Sequence, residues 1–166
     1  MKRTPLLLLA ILTASLGLLG YALYLQLVKD MLPCPLCVAQ RYAFAACALL
    51  ALLALVLPQR LQRGLIVLGA LAAAYGLSVA MEHLHVLANP GLSCGIDPLE
   101  VALNKSPLST WLPTLFRANG LCDAPYPPIL GLSIPAWALV WFIVFIGMFI
   151  LAFFRQTPRG MFGQRR

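Results

Sequence analysis

Cys34 and Cys37 stand three positions apart in the stretch LPCPLCVAQRYAF, and Arg41 follows four residues after the second of them. A disulfide across two intervening residues closes too small a loop to stabilise a fold much. Close pairs of this kind instead belong to redox centres and metal sites, which both use the thiolate. Cys37 falls near the expected start of a helix, whose N-terminal partial positive charge favours a thiolate. Arg41 lies one turn further along the same face and adds positive charge to that neighbourhood. An arginine beside a thiolate and within reach of lipid has donors to offer a membrane-dissolved carbonyl compound, of which a quinone is the obvious example. The plainer role for Arg41 is an anchor at the head-group level, its side chain reaching to water.

These residues must be held by membrane helices. The chain has 166 residues, 61% of them hydrophobic and only 10% charged, against about 25% charged in soluble domains. A bilayer span needs about 20 mostly apolar residues, and the sequence predicts spans over 5–28, 38–57, 65–87 and 134–154. The expected fold is an all-α membrane protein, a single integral domain over 1–166. It is a four-transmembrane-helix bundle with outer loops over 29–37 and 88–133. The first span begins like a signal peptide, but its apolar run continues to Val28, beyond the usual core of about 7–15 residues, and it reads as an uncleaved span. The second outer loop contains LEVALNKSPLSTWLPTLF, apolar enough for a short helix in the interface plane, its length limited by Pro107 and Pro113. Gly17, Gly20, Gly69, Ala70, Ala73 and Gly76 are small residues of the kind that let membrane helices approach closely. Tyr21, Tyr24, Tyr42, Trp137 and Trp141 fall toward the outer side, where an aromatic belt is expected.

The net charge of +7 is not a nucleic-acid footprint. Lys2, Arg3, Arg60, Arg63, Arg155, Arg159, Arg165 and Arg166 are eight of the twelve basic residues, and all lie on one side of the four-span arrangement. By the positive-inside rule that side, with both termini, is cytoplasmic. Cys34, Cys37, Cys94 and Cys122 then face the opposite compartment as two pairs, which suggests an oxidising space such as a bacterial periplasm. Taken alone, Cys94 and Cys122, 28 residues apart, read as a staple worth roughly 3–4 kcal/mol. Cys47, inside a span, reads as a small apolar core residue. His83 and His85 sit near the outer end of the third span. Two apart on a helix, they point to opposite faces, and with no third histidine and Val38 after Cys37 a haem is excluded. Each taken alone reads as an interfacial polar residue.

Taken together, PCPLCVAQR, the Glu82–His83 pair, Cys94, NGLCD around Cys122 and LGLSIPAW before the last span resemble the DsbB family, the bacterial disulfide bond formation proteins B. The resemblance covers nearly the whole chain. The DsbA–DsbB–quinone system is what keeps a periplasm oxidising, so that link comes from the family and not from the residues. The resemblance implies a thiol:quinone oxidoreductase of the bacterial inner membrane with four catalytic cysteines, Cys34, Cys37, Cys94 and Cys122. A reduced periplasmic DsbA-like thioredoxin-fold partner would attack Cys94 of a Cys94–Cys122 disulfide. Cys122 would turn on Cys34 and release Cys37. Cys37 would meet ubiquinone or menaquinone near Arg41, with His83 as a second quinone-site residue. The family varies the residues between the paired cysteines, here Pro35 and Leu36.

Three other readings compete. Four outer cysteines could hold zinc, but only one half of the set is a CxxC, so no metal site is expected. A scaffold with two structural disulfides would never change redox state. The vitamin K epoxide reductase type also couples quinones to disulfides, but its CxxC sits in a late span.

Overall fold

A long apolar run in lipid satisfies its backbone by hydrogen-bonding to itself as helix. In the computed structural model, which describes residues 3–89, 98–122 and 126–155, the chain forms α1 (Arg3–Val28), α2 (Pro35–Val56), α3 (Gln59–Ala88), the short α4 (Pro98–Asn104), α5 (Pro107–Trp111) and α6 (Pro113–Phe116), and α7 (Ile134–Phe154). Helices α1, α2, α3 and α7 are long and apolar enough to cross a membrane, and the protein is an all-α, multi-pass membrane protein. Among the described residues the only β feature is an isolated bridge between Ile129 and Leu132.

Two helices begin earlier than the apolar runs suggest. Pro35 opens α2 in the first turn, where a missing N–H costs nothing, and Cys34 is the N-cap. The stretch 58–64, left between the second and third predicted spans, is mostly helix. Pro58 cannot continue α2 and caps α3, and the glutamines and arginines after it are good helix formers. Gln62 Nε2 donates to the Ala54 carbonyl at 3.0 Å across the break.

Lipid is as apolar as leucine, so close packing, not escape from water, holds membrane helices together. The fit is specific between α3 and α7. Phe142, Phe145 and Phe149 of α7 are fully buried, and a Cβ at Gly76 or Gly69 would strike the rings of Phe142 and Phe149 respectively. Phe44 of α2 stacks on Phe142 with centroids 4.2 Å apart and planes 13° apart. Ala43, Cys47, Ala51 and Ala54 form a buried stripe at helical spacing on α2, and Leu8 and Ile11 bring α1 into the same core. Cys47 is the apolar core residue the sequence suggests. Gly17 and Gly20 differ from expectation, since a Cβ at either would meet nothing within 4 Å. Both lie on an exposed face of α1, so small size there serves no helix contact among the described residues.

The segment after α3 folds back over the start of α2. Pro107 and Pro113 each open a new helix, so the single short helix expected here is three. Asn104 clamps Ala118 at two points, donating to its carbonyl at 3.0 Å and accepting from its N–H at 2.9 Å. Tyr42 ties this segment to α2, with its ring 4.4 Å from that of Phe116 and its hydroxyl 2.6 Å from Ser106 Oγ. Val101, Leu108, Trp111 and Leu112 remain exposed. Before α7, Leu130 (φ 52°) and Gly131 (φ 84°) are both left-handed, as a two-residue turn requires. Trp137 Nε1 donates to the Ile129 carbonyl at 2.8 Å and pins the turn to α7.

Candidate redox site

The start of α2 sets the geometry of the first pair. Cys34 caps the helix, and its sulfur accepts the Cys37 N–H at 3.3 Å. Cys37 sits in the first turn with its sulfur toward the positive end of the helix dipole. Cys34 is buried and Cys37 half-buried. From α3, the buried His83 lies between them. Its Nε2 is 3.8 Å from Cys34 Sγ and its Nδ1 is 3.9 Å from Cys37 Sγ. Gln40 Nε2 stands 3.4 Å from the same Nδ1. His85, two residues on, is exposed and among the described residues bonds to Asn89, as the opposite-face argument requires.

Cys122 arrives from far along the chain and packs in one buried cluster with Cys34, Leu36 and Val79. A backbone latch brings it there. The N–H groups of Asn119 and Gly120 both donate to the Pro33 carbonyl at 3.0 Å, and the Tyr126 hydroxyl donates to the Leu32 carbonyl at 3.1 Å. Only glycine fits at 120, because a Cβ there would overlap the Leu32 carbonyl. The Cys122 carbonyl lies 3.3 Å from His83 Nε2. The two sulfurs shift one another's titration. The hydrogen bond to Cys122, then that to Cys37 and burial, push the Cys34 thiol far up. The same bond from Cys34 lowers the Cys122 thiol, against the opposing effect of its burial. Of this pair, Cys34 is the sulfur that holds its proton more firmly and Cys122 the one that gives it up more readily.

Arg41 is buried, which removes the reading of a side chain stretched to water. Its guanidinium donates to Gln26 Oε1 at 2.7 Å, to the Leu115 carbonyl at 3.1 Å and to the Ala22 carbonyl at 3.3 Å. Every one of these acceptors is neutral. Beside the cysteines opens a cavity of about 620 Å³ lined by Cys34, Cys37, Arg41, His83, Cys122 and mainly apolar side chains, Leu18, Leu25, Phe44, Trp137 and Trp141 among them. That size and apolar lining, with a few converging polar groups, suit a small organic ligand.

The chain matches the family model described as Disulfide bond formation protein DsbB over residues 2–152. It belongs to the DsbB family. The protein named Disulfide bond formation protein B in Herminiimonas arsenicoxydans is 54% identical over 151 residues, covering 91% of this chain and 95% of the relative. Its namesake in Ralstonia nicotianae is 45% identical over 147 residues, 87% of this chain and 91% of the relative. One in Cupriavidus necator is 50% identical over 132 residues, 78% of this chain and 80% of the relative.

Of the six site residues expected from the sequence of this DsbB-family chain, Cys34, Cys37, Cys122, Arg41 and His83 converge on one cavity. Cys94 lies outside the described residues. Gln26, Gln40, Gly120 and Tyr126 join the site without having been expected there. The glycine and cysteine of NGLCD were legible as a motif, but the partner of the glycine, a carbonyl some ninety residues earlier, carries no local signal. Cys34, Cys37 and His83 also bring one donor atom each within 4.8 Å of one another, a set of soft ligands that suits a thiophilic cation.

Proposed function

We propose that this protein is a thiol:quinone oxidoreductase of the bacterial inner membrane, termini cytoplasmic, that reoxidises a periplasmic DsbA-like thioredoxin-fold dithiol protein. One observation carries the reading. Cys122, from the second loop, packs with Cys34 of the CxxC, and Cys34, Cys37 and Cys122 share with Arg41 and His83 the wall of one mainly apolar cavity. A disulfide relay with a water-side entry and a membrane-side exit needs this arrangement.

The partner's thiolate attacks Cys94 of the Cys94–Cys122 disulfide, forming a mixed disulfide and leaving the electron pair on Cys122. That thiolate, adjacent to Cys34, attacks it. The Cys122–Cys34 bond forms, the Cys34–Cys37 bond breaks, and the electron pair passes to Cys37. The start of α2, His83 and Arg41 hold the negative charge there. The partner's second thiol resolves the mixed disulfide, and the freed Cys94 displaces Cys34 from Cys122, which restores Cys94–Cys122. Cys34 and Cys37 then rejoin. Two thiols of the partner become one disulfide, and two electrons and two protons leave.

The cavity fits a quinone ring: it is apolar, and it carries a buried cation, an imidazole and the Cys37 sulfur on its wall. Ubiquinone or menaquinone bound there supplies the acceptor for two electrons and two protons. Arg41 would hold the ring oxygen through guanidinium N–H groups, and His83, in contact with both sulfurs, would carry the proton.

The test follows quinone absorbance during turnover with a reduced thioredoxin-fold dithiol protein, alongside Cys37→Ser and Cys94→Ser variants. Catalytic loss of quinone that both substitutions abolish is the expected result. No loss with either ubiquinone or menaquinone, with all four cysteines intact, overturns the reading.

A further inference from the structure

Arg41 is a buried cation in a membrane span, and its hydrogen-bond acceptors are an amide and two backbone carbonyls. Among the described residues no carboxylate meets it. A desolvated charge of this kind is ordinarily paired with an opposite one. Here α1 supplies a fork instead. The Ala22 carbonyl and Gln26 Oε1 lie one helical turn apart on a single face and take the two terminal nitrogens of the guanidinium. The 2.7 Å bond from Gln26 is the shortest of the three. A glutamate at 26 would reach the same nitrogen with a stronger, charge-assisted bond, and it would cancel the charge. An amide fixes the guanidinium and leaves the charge unspent.

We propose that Gln26 is a positioning residue whose neutrality matters: it orients Arg41 toward the cavity and keeps its positive charge available to the Cys37 thiolate and to an electron-rich carbonyl oxygen of the quinone class. This rests on the dithiol-to-quinone reading above. Its geometry is independent of that reading, since the hydrogen bond of Gln26 is to Arg41 and Gln26 is not among the described residues that line the cavity. Cys37 is also faced by His83 from α3, by Cys34 at the cap of α2, and by Cys122 and Tyr126 from the second loop. Gln26→Glu leaves all of these in place.

The experiment compares Gln26→Glu, Gln26→Leu and Arg41→Gln in the full chain in detergent, with helicity and melting checked for each. The first readout is the pH profile of Cys37 alkylation in the reduced protein, followed at the peptide level. The second is the split between quinone KM and kcat. Gln26→Glu is expected to move the Cys37 midpoint up by about one pH unit or more, in the direction of Arg41→Gln. Gln26→Leu keeps the charge but loosens its aim, so it is expected to raise quinone KM with little movement of the midpoint. If Arg41→Gln shifts the midpoint and Gln26→Glu does not, this proposal is overturned while the quinone reading stands. If Gln26→Glu and Gln26→Leu change both readouts alike, Gln26 is merely structural and the proposal is again overturned. If Arg41→Gln moves neither readout, the role of Arg41 in the quinone reading has failed and this proposal falls with it.

Discussion

Gly120→Ala should disconnect the two cysteine pairs without unfolding the protein. The added methyl would overlap the Leu32 carbonyl, which is backbone and cannot rotate aside. The 119–120 turn must lift, and both of its bonds to the Pro33 carbonyl are lost. At about 1 kcal/mol net for each hydrogen bond, the docked arrangement loses about 2 kcal/mol, or about 30-fold in population. The cleanest assay places Gly120→Ala in a chain whose Cys37 and Cys94 are both alanine, so that Cys34 and Cys122 are the pair left near the site and Cys47 stays buried in the bundle. Equilibration against a glutathione redox buffer reads the effective concentration of one thiol at the other. That value should fall about 30-fold. Tyr126→Phe removes a single bond to the Leu32 carbonyl and should cost about fivefold. In the four-cysteine protein, turnover driven by the thioredoxin-fold partner should fall in step, while turnover driven by a small dithiol that attacks Cys34–Cys37 directly should be little changed. An unchanged effective concentration in Gly120→Ala would refute the latch as the device that holds Cys122 in place.

Other consequences follow from the same coordinates. In the reduced protein, Cys122 should be alkylated at pH values below the ordinary thiol midpoint of about 8.5, because Cys34 donates to its sulfur. Cys34→Ala removes the largest lowering influence and keeps burial, with the Leu36 N–H and His83 still in place, so the Cys122 midpoint should move up; a downward move would refute Cys34 as the donor. Gly76→Ala drives a methyl into the buried ring of Phe142 and should destabilise the bundle by about 1–3 kcal/mol, read as a lowered melting temperature in detergent, with Gly17→Ala as the silent comparison. Cadmium or zinc should inhibit the reduced form and spare the oxidised one, since Cys34, Cys37 and His83 hold their donor atoms within 4.8 Å only as free ligands. Stoichiometric binding to the reduced protein, lost in His83→Ala, checks this.

The helices were legible because their signal is local. An apolar run of about 20 residues fixes a span whatever its neighbours do, whereas Pro35, Pro107 and Pro113 open helices that the apolar runs alone do not delimit. The placement of Cys34, Cys37 and Arg41 at the start of one helix was legible for the same reason, since three, four and seven residues of spacing determine their relation. What was not legible is every relation across helices. Nothing around Gln26 distinguishes it from a polar residue near the end of a span, and its role appears only when α1 meets α2. Gly120 looks like any loop glycine until Leu32 is placed against it. Gly17 and Gly20 show the converse error: small residues signal close packing only when a neighbour faces them, and here none does.

The two flanks of the site differ in what they ask of a charge. In the proposed relay Cys34 and Cys122 exchange with one another beside the 119–120 latch, where the hydrogen bond between the two sulfurs lowers the Cys122 thiol. Cys37 faces an apolar cavity, where a thiolate without a counter-charge would be costly. In the proposed reading Arg41 supplies that counter-charge, from a position where its acceptors among the described residues are all neutral. An acidic partner for Arg41 would make a more stable resting protein and a poorer site for Cys37. A buried arginine without an anion is therefore the feature to expect wherever a thiolate must form next to lipid and then surrender its electrons.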